Sequence, residues 1–73
     1  MSADPYNWKA EEVQYWVSLG PFKKHTSKFE NIDGAKLLKL NQRRLERMGI
    51  DKEDAKVIEI EIDAIKPRNY FGR

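Results

Sequence analysis

The 73-residue chain has no cysteine, one histidine, three prolines and four glycines, and each scarcity excludes something. Without cysteine there is no disulfide framework, and one histidine falls short of the three or four Cys/His ligands of an ordinary structural zinc site. The expectation is therefore no metal and no cofactor, with a fold resting on packing alone. Apolar stretches are short, such as Leu37-Leu38 and Val57-Ile58, which excludes a signal-peptide core or a membrane-spanning helix of the ordinary kind. An intracellular protein or a domain of one is expected, in a cytoplasmic setting with a nuclear one also open. No Gly-rich phosphate loop occurs, no serine sits in a nucleophile motif, and the carboxylates are spread along the chain. The chain is not expected to be an enzyme.

What is present is 40% apolar residues, among them two Trp, three Tyr and three Phe, and 36% charged residues. That supports one small core rather than a disordered tail. The formal net charge of +2 conceals a segregation by sign. Residues 1–22 carry three acids against Lys9, whereas 23–47 carry eight Lys/Arg against Glu30, Asp33 and Glu46, a net +5. Residues 48–66 reverse again, with six acids against Lys52, Lys56 and Lys66 for a net −3, and Arg68 and Arg73 follow. A total of +2 is a weak footprint for nucleic acid, so any such role must rest on the basic middle.

Start and stop signals divide the chain into about five helices with no pair of strands. The first spans 9–19, with Val13, Trp16 and Val17 on one face and Glu11 and Glu12 in the first turn, ending at Gly20-Pro21. Pro21 predicts the start of a second helix over 21–29, since a proline at the first helical position gives up an N–H that has no partner anyway. Asn31-Ile32-Asp33-Gly34 reads as a turn, in which Gly34 permits a positive φ and Asp33 caps the short helix bearing Leu37 and Leu38. Asn41 is a cap for a helix burying Leu45 and Met48, and Gly49 suits the left-handed position after it.

The last segment is ambiguous, because Ile58, Ile60 and Ile62 alternate with Glu59 and Glu61 as in a half-buried strand. Helical spacing of Ala55, Ile58, Ile62 and Ile65, a cap at Asp51 with Asp54 three residues on, and the stop at Pro67 favour a helix over 52–66. Val57 and Ile60 then lie off the main stripe, and burial of this helix around much of its girth is the expected account of them. Trp8 and Trp16 are expected in the core rather than as stacking platforms, and His25 to pack rather than act as a base or pH switch. Tyr70 is open between modification and packing against the bundle.

The succession Trp8, Val13, Trp16-Val17, Phe29, Ile32-Asp33-Gly34 with Leu37-Leu38 and Leu40, Leu45 with Met48-Gly49-Ile50, then Ile58, Ile62 and Ile65 resembles the sterile alpha motif (SAM) domain. The resemblance covers 8–66, leaving 1–7 and 67–73 as flanks. It implies an all-α, compact five-helix bundle with a long C-terminal helix. It also implies a protein interaction module of a larger signalling or scaffold protein, binding another SAM domain by self- or heterotypic, head-to-tail association. In such pairs a middle surface, typically acidic, meets a basic one at the start of the last helix. Here the middle carries Lys36, Lys39, Arg43, Arg44 and Arg47, and the end-helix surface carries Gly49, Asp51, Lys52, Glu53 and Lys56, so the polarity is partly inverted. Arg43 and Arg47 are one helical turn apart, which makes a binding face as good a reading as a solvated one. The alternative is an RNA-hairpin-binding domain using the same cations, as in a minority of the family. Attachment to lipid ranks last, because the basic face lacks the apolar half an interfacial helix needs.

Overall fold

Helix caps set the course of the chain, as they appear in a computed structural model that describes residues 3–70. The outer ends of both flanks, 1–2 and 71–73, lie outside the described residues. A 3-10 turn at Pro5–Asn7 leads into five helices: α1 (Ala10–Ser18), a 3-10 helix (Lys23–Phe29), α2 (Gly34–Leu37), α3 (Gln42–Arg47) and α4 (Lys52–Ile65). The all-α, five-helix bundle with a long last helix is the fold found, and the strand alternative over Ile58, Ile60 and Ile62 is discarded. Among the described residues no helix is long and apolar enough to cross a membrane.

The side chains of Asp33, Asn41 and Asp51 accept from the N–H groups of Lys36 (2.9 Å), Arg44 (2.9 Å) and Asp54 (3.2 Å), so α2, α3 and α4 each begin where the sequence places a cap. Such a cap contributes about 1 kcal/mol, a large share for helices as short as α2 and α3. Lys9 precedes α1 without an acceptor of its own, and only the reciprocal contact forms, from the Lys9 N–H to Glu12 Oε1 at 3.0 Å. Gly49 takes φ +93° after α3, as its position requires.

Two local expectations are corrected. The second helix begins at Lys23 rather than Pro21 and is a 3-10 helix, because Gly20, Pro21 and Phe22 are used to reverse the chain after α1. Its entry closes with i to i+3 bonds from Lys23 N to Gly20 O (3.3 Å) and His25 N to Phe22 O (2.8 Å). Gly34 does not have a positive φ; Gly49 alone does among the described residues. What Gly34 supplies is room. A Cβ there would fall on the carbonyl oxygen of Pro5, and the Gly34 N–H donates to the Trp8 carbonyl at 2.8 Å, so the chain before α1 lies directly on the start of α2.

Val13, Phe29, Leu37, Leu45, Ala55 and Ile62 are fully buried at the centre of the core. Trp8 is buried and meets the partly buried Trp16 with ring centroids 6.2 Å apart, tilted by 48°, which bears out their packing role. Beyond α4 the chain turns back. The Tyr70 hydroxyl donates to the Leu38 carbonyl at 3.3 Å, and Lys66 Nζ lies 5.5 Å from the Tyr70 ring centroid. Burial of α4 around much of its girth is not found. Val57 is 44% and Ile60 64% exposed, because α4 packs along the single stripe Ala55-Ile58-Ile62 and leaves the opposite face to solvent.

Candidate interaction surface

α3 is six residues long, caps on Asn41 and turns its single buried residue, Leu45, into the core. Every other direction around this short helix points outward, so Arg43, Arg44 and Arg47 are all exposed. None of the three makes an ion pair among the described residues. Arg43 and Arg47 border a shallow hollow with Gln42 and Glu46, and the Gln42 side chain donates to Glu46 Oε2 at 3.2 Å. The one acid of the helix is thus partly engaged by an amide rather than a guanidinium. The Gln42 backbone N–H donates to Glu59 Oε2 at 2.8 Å, which ties the start of α3 to the middle of α4. Lys36, at the end of α2, and Lys39, in the turn after it, are exposed but do not line the hollow.

The end-helix residues are less alike than their sequence order suggests. All five are exposed, but Asp51 is also occupied as the α4 cap. Its other oxygen, Oδ1, lies 3.6 Å from His25 Nε2, and Asp54 Oδ2 lies 2.8 Å from the same nitrogen. Lys24 Nζ adds a contact to Asp54 Oδ2 at 3.4 Å, and Lys28 Nζ sits over Gly49, 3.0 Å from where a Cβ would be. The hydrogen bond from the His25 ring, aided by the Lys24 ammonium and opposed by burial, holds the Asp54 carboxyl below its ordinary range.

His25, Lys24 and Lys28 are the residues that sequence reasoning missed at this surface. His25 is buried as expected of a packing role, with 7% of its surface exposed, but its ring nitrogen also faces two aspartates 26 and 29 positions away. No local spacing signals such a pair. The consequence is electrostatic: the 3-10 helix brings cations over the acid-rich start of α4, so the inversion of polarity seen along the sequence is smaller in space.

A second concave surface lies on the far side of α1. Trp16, Leu19, Pro21 and Phe22 line it with Glu61 of α4, and Leu19 is 66% exposed.

No curated protein and no solved structure matches the chain. The family model of the SAM domain (sterile alpha motif) matches residues 6–66. With that match across most of the chain, on a bundle of five helices with the expected caps, the chain belongs to the SAM domain family.

Proposed function

We propose that this domain docks an acidic face of another SAM domain through the basic side formed by Lys36, Lys39, Arg43, Arg44 and Arg47, within a larger intracellular signalling or scaffold protein. SAM domains are protein interaction modules, and the reading assigns this one no catalytic step. The observation that carries it is the three exposed guanidinium groups of α3 with no ion-pair partner among the described residues. Guanidinium groups one turn apart repel one another, and they suit bidentate contact with carboxylates.

The complementary contact is the start of α4, with Gly49, Asp51, Lys52, Glu53 and Lys56. Asp51 and Asp54 face His25 and Lys24, which leaves Glu53 as the exposed acid without such a contact among the described residues, beside Lys52 and Lys56. Such a surface is a poor mate for the arginines of a second copy, so a heterotypic partner is favoured over head-to-tail self-association.

Charge reversal tests this. Arg43→Glu with Arg47→Glu should abolish capture of a SAM partner from a cell extract, and Lys52→Glu with Lys56→Glu should weaken it, with folding of each variant checked by circular dichroism. Capture should also weaken with salt, as exposed charge contacts do. Sedimentation of the wild type at low salt should show a monomer; concentration-dependent association would restore the homotypic reading. Unchanged capture by the folded Arg43/Arg47 variant would refute the α3 surface. Tight, salt-steep binding of a labelled RNA hairpin, lost in that variant, would replace the reading with the nucleic-acid one.

A further inference from the structure

The cluster that joins the 3-10 helix to α4 has a use that its role in packing does not exhaust. A ring nitrogen of His25 and one carboxylate oxygen each of Asp51 and Asp54 lie within 4.8 Å of one another, and each is a metal-ligating atom. We propose that these three side chains form a binding site for a divalent transition ion of the zinc type.

The ligand spacing supports it. Bonds of about 2.0–2.1 Å at angles between octahedral and tetrahedral put ligand atoms roughly 2.9–3.4 Å apart, and Nε2 stands 2.8 Å from Asp54 Oδ2 and 3.6 Å from Asp51 Oδ1. The two carboxylate oxygens lie within 4.8 Å of each other and must draw together on the ion, which the exposed Asp51 and the partly exposed Asp54 can do by turning their side chains.

The ligand types support it as well. One imidazole with two carboxylates is a borderline donor set of the kind zinc takes, whereas calcium asks for six to eight oxygens and magnesium for an oxygen octahedron. The imidazole is the fixed ligand, since only 8% of its side chain is exposed and the core holds its ring. The two carboxylates come to it from the N-cap and the first turn of the 14-residue α4. Asp51 can serve both tasks at once, because Oδ2 accepts the cap hydrogen bond from Asp54 N while Oδ1 faces the ring. Three protein ligands leave at least one position for water or for a donor from a bound partner.

Lys24 is the competitor for this place. Its ammonium lies 3.4 Å from Asp54 Oδ2, but its side chain is 68% exposed and is free to swing into water when an ion enters. Protons compete with a metal ion for an imidazole and two carboxylates, so affinity should fall in acid.

The test uses untagged protein stripped with a chelator and titrated with Zn²⁺, then with Co²⁺. Calorimetry should give one site of micromolar affinity. The His25 ring signals and the amides of 51–54 should shift first in NMR spectra, and the unfolding midpoint should rise by roughly 10–20 °C at a hundred-fold excess over the dissociation constant. Asp51→Asn keeps the cap, since asparagine caps as well as aspartate, and should weaken binding ten-fold or more while leaving the metal-free midpoint in place. His25→Phe should abolish binding, and its fold is checked separately. A dissociation constant above about 1 mM, shifts confined to other carboxylates, or unaltered binding by Asp51→Asn would each overturn the proposal.

Discussion

Gly34→Ala separates two explanations of the same glycine. Helix propensity alone predicts a gain of up to about 1 kcal/mol, because Gly34 opens α2 and alanine is the better helix former. Geometry predicts the opposite. The added Cβ would overlap the Pro5 carbonyl oxygen and lie 2.9 Å from Trp8 N, well inside the roughly 3.5 Å at which carbon meets a heavy atom without strain. Both obstacles are backbone, so no rotamer change relieves them. Residues 5–8 must retreat, which breaks the 2.8 Å bond from Gly34 N to the Trp8 carbonyl and lifts Trp8 from its buried place beside Trp16. The hydrogen bond contributes about 1 kcal/mol, and overpacking of this kind costs about 1–3 kcal/mol, so a loss of about 2–4 kcal/mol is expected. In a domain of this size that lowers the unfolding midpoint by roughly 10–25 °C. Urea unfolding followed by tryptophan fluorescence and by circular dichroism reads it, with two glycines as controls. Gly20→Ala meets only the Phe22 ring edge at 3.8 Å and should change stability by less than about 0.5 kcal/mol. Gly49→Ala carries φ +93° and should cost about 1–2 kcal/mol. A Gly34→Ala domain as stable as wild type, or no worse than Gly20→Ala, would refute the close approach of 5–8 to α2.

Three further outcomes follow from named contacts. Asn41→Ala leaves the Arg44 N–H without its acceptor and should cost about 1 kcal/mol in denaturant unfolding, whereas Asn41→Asp should cost little. Ile60→Lys should change stability by less than about 0.5 kcal/mol, while Ile62→Ala, two residues on, should cost about 2–5 kcal/mol; equal costs would show that α4 is buried on both faces after all. Tyr70→Phe removes the hydroxyl that donates to Leu38 and should lower stability by about 0.5–1.5 kcal/mol, and no change by calorimetry would place the tail off the bundle.

The fold was legible because its signals are local. Asp33, Asn41 and Asp51 announce helix starts three residues ahead of the N–H groups they satisfy, and Gly49 announces a stop, so all four could be read in sequence and found in space. Gly34 shows where locality fails. A glycine before a helix has two physical reasons to exist, a dihedral or a neighbour, and only the second applies here, set by a segment 26 to 29 positions earlier. The same limit governs the surface. The arginines of α3 are adjacent in sequence and remain exposed together, because a helix of six residues with one buried side chain has nowhere else to put them. At the start of α4, summing charges by segment gave an acidic patch, but charge belongs to places rather than to segments. His25 and Lys24 reach Asp54 and Lys28 reaches Gly49 from the far side of a turn, so two of the acids that defined the patch are already answered within the fold. There Glu53 stands exposed between Lys52 and Lys56, whereas the three arginines of α3 are exposed together with no ion-pair partner among the described residues, so the basic charge of α3 is the less balanced of the two.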